Sequence, residues 1–149
     1  MANQYVVFQL ASEHYAVNIT QVRGIEKLLP LTRVPHAPSF VQGVCNLRGS
    51  VIPVIDLRRR LSLPIGPENK NARILIVNVD KYTVGMTIDN ANDVVTINPG
   101  DIEPSPSLVT GIDSEFVRGV ARVSNKLLVI LDLEKILTVN QVNQLESVR

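Results

Sequence analysis

Residues 43–57 read GVCNLRGSVIPVIDL, and residues 119–133 read GVARVSNKLLVILDL. The first stretch, taken alone, resembles a place where chemistry is done. It holds the only cysteine (Cys45), a polar pair in Asn46 and Arg48, a glycine turn, and an aspartate closing an apolar run. Beside the second stretch it becomes one copy of a repeat. At an offset of 76 residues Gly43 and Val44 meet Gly119 and Val120, Val54-Ile55-Asp56-Leu57 meets Ile130-Leu131-Asp132-Leu133, and Leu61 meets Leu137. Both stretches read as hairpins, one turning at Arg48-Gly49-Ser50, where Gly49 can supply a positive φ, the other at Ser124-Asn125-Lys126. Asp56 and Asp132 each stand just before a short helical pattern, where a carboxylate caps the first turn. A group repeated at matching positions is better explained by a structural duty than by catalysis.

The β signals continue outward from these hairpins. Gln4 to Leu10 and His14 to Ile19 form a first hairpin about Ala11-Ser12-Glu13, and a helical turn near Ile19 to Val22 precedes a strand near Gly24 to Leu28. Pro30, Pro35 and Pro38 then interrupt regular structure, apart from a short extended piece at Thr32 to Val34. The segment PIGPENKN, Pro64 to Asn71, reads as a linker, after which the pattern begins again. Arg73 to Val79 and Tyr82 to Asp89 form a hairpin about Asp80-Lys81, Asp93 to Ile97 a strand, and Leu133 to about Glu146 a final helix. The expected fold is all-β with short helices: two copies of one unit, each hairpin, hairpin and capped helix. Short, numerous strands favour small closed barrels, which remove exposed edges. A barrel of about 70 residues is marginal alone, so the two should share a buried interface. Residues 1–149 then form one domain of two barrels, one over roughly 14–66 with the C-terminal helix, the other over roughly 71–131.

Composition excludes several functions. A net charge of +1 gives no electrostatic reason to expect nucleic acid, and Arg58-Arg59-Arg60 reads as a solvated helix face. One cysteine forms no internal disulfide, which fits a reducing compartment. No signal peptide is expected from MANQYVVFQL. Apolar runs such as Leu127 to Leu131 fall far short of the roughly 20 residues a membrane helix needs, so the expectation is a cytoplasmic protein without membrane insertion. His14 and His36 are the only imidazoles, and neither stands near a nucleophile in the expected fold. Cys45 fits a buried filler, since free cysteine behaves as a small hydrophobe. Asp89-Asn90-Ala91-Asn92-Asp93 fails as a calcium loop: Ala91 removes a ligand, and Val94 stands where glycine is needed. No cofactor or metal is expected. The repeat leaves Asn46, Leu47, Arg48 and Gly49 unexplained, with Arg48 either a buried brace or an exposed partner contact.

With NLRGSVIPVIDL in view, the chain resembles the CheW family, the adaptors of bacterial chemotaxis. The likeness runs through YAVNITQV (15–22), TRVPHAPSFVQGVCNLRGSVIPVIDLR (32–58), IEPSP (102–106) and FVRGVARVSNKLLVILDLEKIL (116–137). The resemblance implies two intertwined five-stranded SH3-like barrels around a hydrophobic interface, and no enzymatic activity. It implies a scaffold that couples the tips of methyl-accepting chemotaxis receptors to the regulatory domain of the histidine kinase CheA, with adaptor and kinase alternating in rings and the protein recruited to membrane receptor arrays. Its receptor-contact positions fall here on Val22, Gly24, Ile25, Gly43 and Arg48, around a groove between the barrels, with Asn46, Leu47, Arg48 and Gly49 as the motif. Gly24 stands where the family often carries Glu, with Glu26 two residues on, and Asn90 where glycine is common. A chemosensory pathway other than flagellar chemotaxis would carry the same residues. A Cys45-dependent enzyme and an apolar-ligand protein using the cleft between copies are the readings from other classes. The first requires an accessible thiolate, the second a ligand that shifts thermal stability.

Overall fold

The computed structural model describes residues 3–64, 70–104 and 114–137. Ten strands and two single-turn helices lie within them: β1 (Asn3–Leu10), β2 (Glu13–Asn18), β3 (Val22–Lys27), β4 (Val41–Leu47), β5 (Ser50–Asp56), α1 (Leu57–Arg60), β6 (Arg73–Val79), β7 (Tyr82–Ile88), β8 (Asn90–Ile97), β9 (Val117–Val123), β10 (Lys126–Leu131) and α2 (Leu133–Ile136). The all-β class with short helices is what the sequence leads one to expect. Three hairpins turn on left-handed residues: Ala11 and Ser12, Arg48 and Gly49, Ser124 and Asn125. Such turns match the right-handed twist of the flanking strands. Of the expected C-terminal helix, Leu133–Ile136 is helical, Leu137 caps it in a non-helical conformation, and residues 138–146 lie outside the described residues, as does most of the linker.

The strands form two five-stranded sheets, the first ordered β8-β1-β2-β10-β9 and the second β3-β6-β7-β5-β4. This corrects the expected division into segments of roughly 14–66 and 71–131. The hairpin β1–β2 of the first copy lies between β8 and β10 of the second, and the hairpin β6–β7 of the second lies between β3 and β5 of the first. Each copy has lent its opening hairpin to the other. The borrowed hairpins are held antiparallel on one side (β1 on β8, β6 on β3) and parallel on the other (β2 on β10, β7 on β5). Sequence offset reveals the duplication but not the exchange, because both arrangements contain the same strands in the same order.

Packing explains why strands such as β1 and β6 read as nearly continuous apolar runs: both faces are covered. Between the sheets lies one large cluster, with Phe8, Tyr15 and Val129 from the first sheet, Leu75, Met86 and Ile55 from the second, and Leu57, Leu133 and Ile136 from the helices. A smaller cluster on the other face of each sheet gathers Tyr5, Val7, Ala121 and Leu128 in the first, and Cys45, Ile52, Val54 and Ile74 in the second. Each fully buried Leu or Met contributes roughly 1.5–3 kcal/mol, so the central cluster outweighs any single polar link.

The repeat recurs in the fine structure. Beyond β3, Thr32 bridges to Val44 of β4 through two backbone bonds of 2.8 and 2.9 Å. Beyond β8, Glu103 bridges to Val120 of β9 through two of 2.8 Å. These bridges bring the chain leaving one end strand back onto the opposite end strand. Gly43 and Gly119 make the crossing possible, since a Cβ at Gly43 would lie 2.5 Å from the Thr32 carbonyl oxygen and one at Gly119 2.7 Å from that of Glu103. Asp56 accepts from the amides of Arg58 (3.1 Å) and Arg59 (3.4 Å), and Asp132 from that of Lys135 (3.2 Å), so both aspartates are the expected caps.

The basic run is not the solvated face its sequence implies. Arg58 is only 17% exposed and grips Asp89, the residue at the crossing from β7 to β8, whose carboxylate also accepts from the Ala11 amide at 2.7 Å. Arg60 packs on aromatic rings, and only Arg59 keeps the expected exposure.

Gly43→Ala and Gly119→Ala are each expected to lower unfolding free energy by about 1–3 kcal/mol, as overpacking against backbone does. Gly100→Ala, where an added Cβ meets nothing within 4 Å, should change it by less than about 0.5 kcal/mol. Urea midpoints of the three variants check the contrast.

Candidate partner-binding surface

A cleft of about 630 Å³ opens along one side of the second sheet. Its walls come from three places: Arg23, Gly24 and Glu26 of β3, the β4–β5 turn at Leu47 and Arg48, and the β6–β7 turn at Lys81 and Tyr82. Gly24 leaves the wall open, for a Cβ there would meet nothing nearer than the Glu26 Oε2 at 3.8 Å.

The four motif residues divide their labour. Asn46 accepts from the Gly49 amide at 3.0 Å and holds the turn, while Gly49 and Arg48 both take left-handed φ. Leu47 packs against the cluster around Cys45 and Ile52. The Arg48 side chain is left 76% exposed, with Glu26 (23% exposed) at 3.2 Å. That decides between the two roles open to Arg48: it is a surface group and not a buried brace. An exposed pair of this kind contributes about 0–1 kcal/mol, so Arg48 is not held in place for stability. Glu26 places its carboxylate beside Arg48 and lines the same cleft as Gly24.

Not all the expected contact residues share this surface. Gly24 and Arg48 line the cleft. Strand alternation turns Ile25 to the side of β3 away from Gly24 and Glu26, where it remains 43% exposed. Val22 packs, partly buried, against the inter-sheet cluster, and Gly43 is buried beneath the Thr32 carbonyl. The space between the sheets is filled by apolar side chains, and the cleft lies on the second sheet. Lys81 and Tyr82 carried no signal in sequence, because only the exchanged hairpin brings them beside Arg48; the Lys81 ammonium lies 5.6 Å from the Tyr82 ring centre.

Cys45 is buried, and burial first, then the negative charge of Glu26, pushes its thiol pKa above the ordinary value. The thiolate, the form needed for nucleophilic work, is therefore disfavoured. Among the described residues no group of three His, Cys, Asp or Glu side chains could hold a metal ion, and no helix is long and apolar enough to cross a membrane.

A family model described as the CheW-like domain matches residues 4–141. The chain is 39% identical over 132 residues to the chemotaxis protein CheW of Bacillus subtilis, covering 89% of this chain and 85% of that protein. It is 32% identical over 149 residues to the chemotaxis protein CheW of Treponema pallidum, covering 97% and 87%. Among solved structures it is similar to the scaffolding protein TtCheW from Thermoanaerobacter tengcongensis, with a TM-score of 0.86 at 38% identity, over 95% of this chain and 91% of that one.

Arg48→Glu should shift unfolding free energy by no more than about 0.5 kcal/mol, read from thermal melts. Because Cys45 is buried at 3% exposure, with its pKa raised as well, its alkylation at pH 8 is expected to run about tenfold or more slower than in the urea-unfolded chain. A folded-state rate matching the unfolded one would show the thiol to be accessible.

Proposed function

The chain belongs to the CheW-like family of non-enzymatic chemotaxis adaptors, and from that premise we propose that it couples methyl-accepting receptors to the histidine kinase CheA. The observation that carries this is Arg48: a cation on the rim of an open cleft, held by one exposed ion pair and costing little to redirect toward a partner. A receptor tip is a helical hairpin, and an amphipathic helix docks its apolar face into a groove. Leu47, Val51 and Tyr82 supply apolar surface to the cleft, and Arg48 orients the incoming helix through charge-assisted hydrogen bonds. Ile25, exposed on the opposite side of β3, adds an apolar contact outside the cleft. The regulatory domain of the kinase, itself similar to this fold, joins through the sheet ends, so adaptor and kinase alternate in rings. The protein works in the cytoplasm at membrane receptor arrays, and binding is its whole activity.

The deciding experiment is a kinase assay with receptor present, adding and omitting this protein. Receptor control of kinase phosphorylation is expected only when it is added. Arg48→Glu should weaken binding to a receptor signalling fragment by about tenfold, equivalent to about 1.4 kcal/mol. Failure of the purified protein to bind either the receptor fragment or the regulatory domain would refute the coupling role.

A further inference from the structure

Arg60 occupies the place where the two copies of the repeat meet. Its guanidinium carbon lies 5.2 Å from the Phe40 ring centre and 4.5 Å from that of Phe116, and its Nε donates to the Ile136 carbonyl at 2.7 Å. Phe40 and Phe116 are repeat equivalents, and so are Arg60 and Ile136. Phe40 leads into β4 of the second sheet and Phe116 into β9 of the first; α1 follows the second sheet and α2 the first. One side chain thus touches matching elements of both units. The two rings are themselves anchored alike, the Phe40 carbonyl accepting from the Asp56 amide at 2.7 Å and the Phe116 carbonyl from the Asp132 amide at 2.9 Å.

The sequence difference at this place has a physical reading. The Ile136 side chain lies in the central cluster and only its carbonyl meets Arg60; an isoleucine at 60 would leave only apolar contact there, which is non-directional and lets packed layers slide. An arginine against a carbonyl gives direction: its planar group stacks between rings and its N–H fixes one axis. Burial lowers the Arg60 pKa while the nearby Glu115 charge opposes that lowering, and a guanidinium keeps its proton throughout.

We propose that Arg60 is a positioning residue that locks the setting of one sheet against the other, and with it the relative placement of the surfaces each sheet offers to partners. The central cluster holds the sheets together, and Arg60 fixes their angle. The partner half of this statement rests on the coupling role proposed above; the conformational half does not.

The test places spin labels at the equivalent turn positions Ser50→Cys and Lys126→Cys in a Cys45→Ala background and reads the inter-label distance distribution by pulsed electron resonance. Arg60→Met, which keeps apolar bulk but removes the planar cation, should widen the distribution by about twofold, as released shear between packed layers would. Arg60→Lys, which keeps charge without the plane, should fall between; if the Met variant does not fold, the Lys variant decides on the same measure. Unlabelled Arg60→Met should bind the receptor fragment alone and the kinase regulatory domain alone within about twofold of the parent, yet lose about fivefold in receptor control of the kinase. An unchanged distribution would overturn the proposal, and so would separate-partner affinities that fall as far as control does. If the parent protein itself gives no receptor control, the coupling role fails, and the label distances still decide the positioning role.

Discussion

Both edges of each opening hairpin are satisfied by strands of the opposite copy, and the architecture depends on this requirement. A hairpin carries two rows of unpaired backbone donors and acceptors, and a buried row without partners is costly. Here β1–β2 finds its partners in β8 and β10, and β6–β7 finds them in β3 and β5. The linker around residue 64–70 is therefore not a seam between two independent bodies. The inter-sheet cluster follows from the same exchange, since chain crossing between sheets carries apolar faces with it. Asp89 stands at one crossing and is held by Arg58 and the Ala11 amide, which ties the helix, the first hairpin and the crossing in one polar junction.

What the two copies share is structural, and they differ at two places. The glycine bridges, the capping aspartates and the anchored phenylalanines recur almost unchanged. The turns differ. Asn46-Leu47-Arg48-Gly49 places a cation on an open cleft, while the turn at Ser124 and Asn125 reaches the same left-handed geometry with small polar residues. Arg60, half-buried against the Ile136 carbonyl, is a second break in symmetry, away from the cleft.

The fold class, the hairpins and the caps were legible in sequence because each depends on a few neighbouring residues: alternation, a turn residue able to take positive φ, an aspartate before an apolar run. The duplication was legible from the offset of 76 residues. Sheet membership was not, because pairing partners lie across the chain and both the exchanged and unexchanged arrangements satisfy the same local pattern. The same limit applies to the surroundings of the expected contact residues. The close approach of the Thr32 carbonyl to Gly43 is invisible to local pattern, and so is the wall formed by Lys81 and Tyr82, which belongs to a borrowed hairpin. The Arg58-Arg59-Arg60 run misled for a related reason: its partners Asp89, Phe40, Phe116 and Ile136 are distant in sequence.

The exchange also orders events in time. During synthesis the chain emerges from its amino end, yet the sheet that holds β1 and β2 is finished only by β10, the last strand in chain order among the described residues. The earliest hairpin must wait, edges unsatisfied, while the whole second sheet is translated. Long-range pairing of this kind folds slowly and leaves strand edges open to wrong partners. The second sheet has no such delay, because β3 to β7 are contiguous in the chain. It can close first and offer the waiting hairpin an apolar face on which to rest.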